Sequence, residues 1–214
     1  MPELMRELAL TGSDVDNFEC PRCGAHDRER HLLMYLRASG TLDWMRGKAV
    51  LHFAPERRLS RVLAAAGAQT YVRCDLHPAE PGVERVDMLA MQFAADSFDL
   101  LMANHVLEHV DDDLRALHEI HRVLRTAGYA ILQTPYSRKL QRTWSDAGIR
   151  DERSRLQAYG QEDHVRLYGR DIFERLTSTG LASRVREHTE ILPDVDARRE
   201  GVNPDEPFFL FQKT

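Results

Sequence analysis

Apolar runs that alternate with amphipathic segments dominate the middle of the chain. Residues 49–53 form a mostly apolar stretch typical of a buried strand, and residues 57–66 place apolar side chains at helical spacing. The same alternation continues through strand-like runs at residues 70–74, 83–86, 98–103 and 129–133, with a second amphipathic segment at residues 112–124. Because strands that alternate with helices pair in parallel, the pattern predicts an α/β domain with helices on both faces of a mostly parallel sheet.

The flanks of this region are less regular. Residues 28–38 have helical spacing and predict a lead-in helix that follows a polar, irregular N-terminal segment. We therefore divide the chain into a short N-terminal appendage, residues 1–46, and a domain, residues 47–214. The C-terminal part of the domain adds one helix and two strand candidates, at residues 170–179, 183–190 and 207–211.

Composition and charge narrow the class of protein. Of the 214 residues, 43% are hydrophobic and 29% are charged, which is ordinary globular composition. The net charge of −5 disfavours non-specific binding to nucleic acid. No apolar run approaches the ~18 residues that a membrane-spanning helix needs, and the first ten residues lack the apolar stretch of a signal peptide. We expect a cytoplasmic protein with no membrane partner.

Acidic residues follow two neighbouring strand candidates. Asp75 comes roughly twenty residues after Ala54 in the first turn, the spacing expected between a cofactor-binding turn and the carboxylate that binds a ribose. Asp87 follows the next strand and can accept a hydrogen bond from an adenine amine, while Met88 offers apolar surface to the ring. The two acids together indicate an adenosine site, and turn formation by each aspartate is the alternative.

Two motifs resemble those of a known enzyme family. Residues 97–110, SFDLLMANHVLEHV, and residues 119–128, EIHRVLRTAG, are similar to the fourth strand, helix and fifth-strand start of class I S-adenosylmethionine-dependent methyltransferases of the type 11 kind. The resemblance covers roughly residues 48–135. It implies a Rossmann-like, seven-stranded sheet, parallel except for its last strand, with S-adenosylmethionine as cofactor. The cofactor-binding residues that it implies are Phe53, Ala54, Glu56, Asp75, Leu76, Asp87, Met88, Asn104 and His105.

The first loop departs from the family pattern. The family reads acid-x-Gly-x-Gly-x-Gly, whereas residues 52–58 read HFAPERR and contain no glycine. Because His52 stands where the family has an acid, we expect Glu56 to supply the carboxylate for the cofactor's ammonium group. The alternative is that Glu56 only begins a helix. The missing glycines also argue against a dinucleotide, whose pyrophosphate needs close backbone contact.

Histidines are the candidate catalytic residues. His105 directly follows the fourth strand, which makes it the first candidate for a base or for a group that orients the acceptor, although a structural role is equally compatible with its position. His164 is the second base candidate. For Glu108 and His109, one turn beyond His105, we favour capping and hydrogen bonding at the helix start.

A dense polar segment, residues 161–169, contains His164 and precedes the last predicted helix. It would line the acceptor pocket or close over it, with Arg166 and Tyr168 as acceptor-binding candidates, and a solvated loop is the alternative. The preceding residues 136–160 hold six basic and three acidic residues. This local excess of positive charge would attract an anionic acceptor, such as a phosphorylated or carboxylated sugar, although a surface helix with ion pairs explains it equally well.

The cysteine pair Cys20 and Cys23 has the spacing of half a zinc site, which needs four ligands. His26 and His31 could complete the set but match no common template, so we predict no metal and treat the pair as a half-site at most. Free thiols, or a site completed by another chain, are the alternatives.

The leading hypothesis is a methyltransferase that acts on a small molecule, either anionic or sugar-like. A non-catalytic binding or scaffold protein with the same fold is the alternative, because the first loop lacks glycine. A zinc-assisted nucleic-acid-binding protein is the least supported hypothesis.

Overall fold

The structure is a computed structural model that describes residues 2–13 and 18–214. The predicted N-terminal appendage thus includes five positions, residue 1 and residues 14–17, that lie outside the described residues. In the described part of the chain, no helix has the length and apolar character needed to cross a membrane.

A seven-stranded sheet organises the described residues. Its strands are β1 (Ala49–Phe53), β2 (Thr70–Asp75), β3 (Glu84–Arg85), β4 (Phe98–Ala103), β5 (Leu124–Ile131), β6 (Leu181–Ser183) and β7 (Leu210–Lys213). Their order is β3-β2-β1-β4-β5-β7-β6, and β7 is antiparallel to both of its neighbours while the first five strands pair in parallel. The predicted sheet, parallel except for its last strand, is confirmed.

Helices cover both faces of the sheet. They are α1 (Glu3–Glu7), α2 (Asp27–Ala38), α3 (Thr41–Trp44), α4 (Arg57–Ala64), α5 (Asp113–Val123), α6 (Glu152–Tyr159), α7 (Ile172–Thr177), α8 (His188–Ile191) and α9 (Ala197–Glu200). Side chains alternate between faces along a strand. Val50 of β1 therefore packs with α2 and α4, and its neighbour Leu51 packs in the cluster that contains α5 and α7.

The alternation of strands with helices is incomplete between β2 and β4. Both connections there, residues 76–83 and 86–97, are loops. The two acids at the ends of β2 and β3 are consequently followed by turns rather than by helices.

The fifth strand begins earlier than the apolar pattern predicts. β5 starts at Leu124, directly after α5, and residues 125–128, which the pattern leaves between the predicted helix 112–124 and strand 129–133, lie inside β5. The register with β4 shifts between Phe98 and Leu100. A Cβ on Gly128 would lie only 3.0 Å from the carbonyl oxygen of Asp99, so glycine permits the close approach of the two strands.

The N-terminal appendage packs on the domain. Met5 of α1 is fully buried in a small apolar cluster with Tyr159 and Leu167. The N–H of Thr11 donates a 2.8 Å hydrogen bond to the carbonyl oxygen of Tyr136, just beyond the end of β5. These contacts bring the appendage to the carboxyl ends of the strands.

Candidate active site

The loop after β1 makes a tight turn without glycine. Ala54 has φ 46°, in the left-handed region that glycine usually occupies, and its N–H donates a 2.9 Å hydrogen bond to the carbonyl oxygen of Cys74. Glu56 then begins α4 as the residue before its first turn, but its side chain makes no capping hydrogen bond. The helix-start interpretation thus explains the backbone of Glu56 and leaves its carboxylate for another role.

The Glu56 carboxylate lies between the ends of β1 and β4. The Asn104 side chain donates a hydrogen bond to Oε1, and Nε2 of His52 lies 3.3 Å from Oε2. Burial would raise the pKa of Glu56, but His52 and Asn104 outweigh burial and lower it, so the group is ionised at neutral pH. Among the described residues, Glu56 Oε2 and Asn104 Oδ1 are buried without a donor in hydrogen-bonding geometry. Two such acceptors suit an ammonium group, which donates three hydrogen bonds.

Asp75 and Asp87 lie at neighbouring strand ends, as predicted. The N–H of Val86 donates a 3.0 Å hydrogen bond to the carbonyl oxygen of Asp75, which joins the two segments. Oδ1 of Asp75 accepts from the N–H of His77 at 2.7 Å, and Oδ1 of Asp87 accepts from the N–H of Leu89 at 2.8 Å. Each aspartate therefore also forms a turn, and each turn uses one of the two carboxylate oxygens.

The apolar candidates divide between surface and core. Leu76 is 46% exposed at the end of β2, where it is free to cover a bound ring. Phe53 and Met88 are buried in the core cluster on the α5 side of the sheet. Their side chains pack in the core and not on the surface at the strand ends.

His105 is buried directly after β4 between two carboxylates. Its Nδ1 lies 3.4 Å from Glu108 Oε1 and its Nε2 lies 3.2 Å from Glu206 Oε1. Burial disfavours the charged imidazole, but the two glutamates outweigh burial and raise the pKa of His105 to about 10. Burial likewise opposes ionisation of Glu108, yet His105 and its neighbours lower the pKa of Glu108 to about 2. An imidazolium at neutral pH favours the orienting role of His105 over the role of base.

Glu206 is the main residue of this region that sequence reasoning missed. It lies in the loop before β7, is 2% exposed, and accepts a 3.1 Å hydrogen bond from Gln133 Nε2. Its second carboxylate oxygen lies 3.5 Å from Nδ1 of His31. The only signal in the sequence is an acid placed before the apolar run 207–211, and such a signal does not reveal the partner.

A cleft beside His105, which we call the acceptor cleft, lies between the N-terminal appendage and the domain. It has a volume of about 260 Å³, and its walls include Leu10, Ser13, His105, Pro135, Gln161 and His164. The structure thus brings together the two predicted catalytic histidines, which are 59 residues apart in the chain, on one cavity.

His164 is 3% exposed and presents one free nitrogen. Its Nδ1 lies 3.1 Å from the carbonyl oxygen of Tyr159, and among the described residues its Nε2 has no hydrogen-bond partner. A carbonyl oxygen can only accept, so Nδ1 carries the proton and Nε2 carries the lone pair. Burial lowers the pKa of His164, which keeps the imidazole neutral.

Arg166 and Tyr168 are buried and directed toward the chain itself. Arg166 donates to the carbonyl oxygens of Leu107 and Asp111 at 2.9 and 2.7 Å. The hydroxyl of Tyr168 donates to Asp113 Oδ2 at 2.8 Å. These bonds fasten the segment 161–169 to the start of α5, so that both side chains hold its shape.

Glu108 and His109 form a 3₁₀ turn, Leu107–His109, and do not cap α5. The cap is Asp112, whose side chain accepts a 3.0 Å hydrogen bond from the N–H of Arg115. Glu108 and His109 instead face His164: the rings of the two histidines lie 4.8 Å apart, edge to face. Glu108 and His109 therefore lie next to His164, one of the residues that line the acceptor cleft.

The cysteine pair acquires no histidine partner in the described part of the chain. Nε2 of His26 lies 3.5 Å from Glu19, and Nε2 of His31 lies 2.9 Å from Nδ1 of His188. Within residues 2–13 and 18–214, no group of three potential metal ligands includes Cys20 or Cys23.

Comparison with known proteins identifies related sequences and folds. Residues 46–132 match the family model of a methyltransferase domain. An S-adenosylmethionine dependent methyltransferase from Mesorhizobium loti superposes with a TM-score of 0.53 at 19% identity, over 82% of this chain and 94% of that chain. None of the curated proteins compared with the chain matches it in sequence.

Two further solved structures share the fold. The 1,6-didemethyltoxoflavin-N1-methyltransferase of Burkholderia thailandensis, solved with 1,6-didemethyltoxoflavin and S-adenosylhomocysteine bound, has a TM-score of 0.57 at 17% identity, over 85% of this chain and 78% of that chain. The [4+2]-cyclase SpnF has a TM-score of 0.54 at 14% identity, over 82% and 79%. The predicted Rossmann-like methyltransferase fold is confirmed, and residues 46–132 match a methyltransferase domain.

Proposed function

We propose that the protein transfers the methyl group of S-adenosylmethionine to a small molecule bound in the acceptor cleft. The observation that carries the proposal is the buried pair Glu56 and Asn104, whose two acceptor oxygens lack donors among the described residues at the ends of β1 and β4. S-adenosylmethionine, when bound, supplies an electrophilic methyl group together with the ammonium that these oxygens suit. The methyltransferase domain match and the S-adenosylhomocysteine in a structural neighbour support the same cofactor.

The remaining strand ends would hold the nucleoside part of the cofactor. Asp75 offers its carboxylate to the ribose hydroxyls and Asp87 offers its own to the adenine amine. Leu76, exposed beside Asp75, provides apolar cover. The turn at Ala54 replaces the missing glycine, because its backbone already occupies the left-handed region.

The chain's own residues would align the acceptor and exclude water, the main demands of an in-line displacement. His105, fixed between Glu108 and Glu206, orients the acceptor as a hydrogen-bond donor or cation. His164 contacts the acceptor's reacting hydroxyl or amine through Nε2, its unprotonated nitrogen. Leu10 and Ser13 of the N-terminal appendage form part of the cleft wall and would shield the acceptor from water.

The walls of the cleft favour a hydroxylated, sugar-like acceptor over an anionic one. Ser13 and Gln161 offer a hydroxyl and an amide, in the described part of the chain no arginine or lysine is among the lining residues, and the charge of His105 is balanced by Glu108 and Glu206. Two arginines of the basic segment are engaged elsewhere: Arg138 lies 2.6 Å from Asp205, and Arg142 lies 3.8 Å from Glu174.

Calorimetry with S-adenosylhomocysteine tests the cofactor site through Asp75. Asp75→Asn keeps an oxygen for the N–H of His77 and so preserves the turn, whereas Asp75→Ala removes it. We expect both variants to bind at least ~10-fold more weakly than the parent, because both lose the carboxylate that accepts from the ribose. Wild-type affinity in Asp75→Asn would restrict Asp75 to turn formation.

A second candidate function is a non-catalytic or non-methylating protein, since the cyclase SpnF has the same fold. A screen of small hydroxylated metabolites with a labelled methyl donor distinguishes the two. Labelled product that depends on His164 supports methyl transfer. Binding of S-adenosylhomocysteine without any labelled product favours the second candidate.

A further inference from the structure

Three potential metal ligands converge beside the acceptor cleft. One ligand atom each from Glu108, His109 and His164 lies within 4.8 Å of the other two. The N–H of Val165 donates a 2.9 Å hydrogen bond to the carbonyl oxygen of Glu108, which ties the two segments together. The backbone therefore holds the segment of Glu108 and His109 next to the segment of His164.

The polar atoms at the centre of this group lack partners. Glu108 and His164 are 1% and 3% exposed, and among the described residues both oxygens of Glu108 and Nε2 of His164 have no hydrogen-bond partner. His105 Nδ1 is near, at 3.4 Å from Glu108 Oε1, but outside hydrogen-bonding geometry. Buried polar atoms of native proteins are normally satisfied, so an unpartnered Glu108 oxygen grouped with the unpartnered Nε2 of His164 indicates a missing ligand.

The outer nitrogens of both histidines are already held. Nδ1 of His109 lies 3.1 Å from Asp163 Oδ2, and Nδ1 of His164 lies 3.1 Å from the carbonyl oxygen of Tyr159. Metal-binding histidines almost always donate their second N–H to a carboxylate or a carbonyl oxygen. This arrangement leaves Nε2 of each ring as the coordinating atom.

We propose that Glu108, His109 and His164 bind a divalent transition-metal ion of the Zn²⁺ type. Two imidazoles and one carboxylate form the donor set of catalytic zinc sites, which keep a further position open. Magnesium and calcium are disfavoured because they prefer oxygen ligands throughout. Since His164 also lines the acceptor cleft, an ion held by these three residues would lie beside that cleft.

The effect of such a metal ion on the acceptor rests on the proposed function. An ion held by these residues would supply a Lewis acid beside the cleft, and an acceptor hydroxyl bound to it in place of Nε2 of His164 would ionise more readily. The ligand class is thus a divalent cation together with a hydroxylated small molecule. A cluster of ion-paired side chains without metal is the competing explanation.

Titration with Zn²⁺ alone tests the site. The Cys20→Ser/Cys23→Ser chain serves as the parent, so that the cysteine pair cannot contribute, and calorimetry measures stoichiometry and affinity. We expect one ion per chain in the parent, loss of that ion in His164→Gln and in His109→Gln, and roughly 10-fold weaker binding in Asp163→Asn. His118→Gln, which removes an exposed histidine of α5, is the matched control and should bind like the parent.

Co²⁺ provides an independent readout, because its visible absorption reports coordination by nitrogen and oxygen. Bands that appear with one equivalent in the parent and vanish in His164→Gln support the site. A parent that binds no ion, or a His164→Gln variant that binds as tightly as the parent, overturns it. S-adenosylhomocysteine binding, measured without metal on the same samples, separates the two proposals: binding without any Zn²⁺ site refutes the metal alone, and Zn²⁺ binding without S-adenosylhomocysteine refutes the proposed function.

Discussion

The side chain of Asn104 donates a hydrogen bond to the carboxylate of Glu56, across the ends of β4 and β1. The two residues are 48 positions apart, and each is the first charged or amide side chain beyond its strand. Their contact explains how a first loop without glycine still builds a polar site: the acid missing at position 52 is supplied from the start of α4, and His52 holds it in place.

Replacement of Glu56 should weaken cofactor binding. Because a hydrogen bond to a charged group contributes about 1.5–3 kcal/mol, Glu56→Gln should raise the Kd for S-adenosylhomocysteine by roughly 10- to 100-fold. Calorimetry measures the change, and Glu7→Gln, at an exposed glutamate of α1, is the control. Equal affinity in the Glu56 and Glu7 variants would remove Glu56 from the cofactor site.

The turn at Ala54 should tolerate glycine but not a branched residue. Its φ of 46° is a conformation that β-branched side chains essentially avoid. Ala54→Val should therefore lower the free energy of unfolding by about 1–3 kcal/mol, whereas Ala54→Gly should stay within about 1 kcal/mol of the parent. Urea unfolding provides the values, and a stable Ala54→Val variant would contradict the strained turn.

Asp113 should stabilise the fold in a pH-dependent way. It accepts hydrogen bonds from Arg175 at 2.5 Å and from Tyr168 at 2.8 Å. Burial raises the pKa of Asp113, but Arg175, Arg166 and Tyr168 outweigh burial and lower it. Asp113→Asn breaks a buried pair and should cost roughly 3 kcal/mol at pH 7.

The sign of this pH dependence follows from the lowered pKa. A carboxyl whose pKa is lower in the folded state contributes stability above its unfolded pKa of about 3.9 and loses it as the pH falls further. The difference between the parent and Asp113→Asn should therefore shrink between pH 5 and pH 2. Urea unfolding across this pH range measures the difference in unfolding free energy, and a constant difference would mean that ionisation of Asp113 is not coupled to folding.

The N-terminal appendage should control the acceptor rather than the cofactor. Met5 is fully buried against α6, and Met5→Ala should destabilise this contact by roughly 3 kcal/mol. We expect methyl transfer to fall while S-adenosylhomocysteine affinity stays within about twofold, because the cofactor site lies at other strand ends. Leu4→Ala, at a 38% exposed position of the same helix, is the control, and an equal effect of both variants would contradict the role of the buried contact.

Local pattern was sufficient for the central sheet. β1 and β4 have the bounds that the apolar runs 49–53 and 98–103 predict, because a strand buried on both faces is mostly apolar. The acids after β2 and β3 were also predictable, since the carboxyl ends of parallel strands share one edge. Where backbone pairing decided the outcome, the pattern was misleading: β5 begins at Leu124, five residues before the predicted start at Tyr129, and Gly128 inside the strand permits close approach to β4.

Contacts between segments that are distant in the sequence determine the parts of the candidate site that the sequence did not predict. Glu206 reaches His105 from the loop before β7, Arg166 turns inward to the carbonyl oxygens that follow β4, and Glu108 and His109 meet His164. No spacing rule connects such positions, because the chain between them folds through several crossovers. The amino-acid pattern thus specifies which residues end each strand, whereas the packing of loops over the sheet selects which of those side chains share a cavity and which carboxylates surround each histidine.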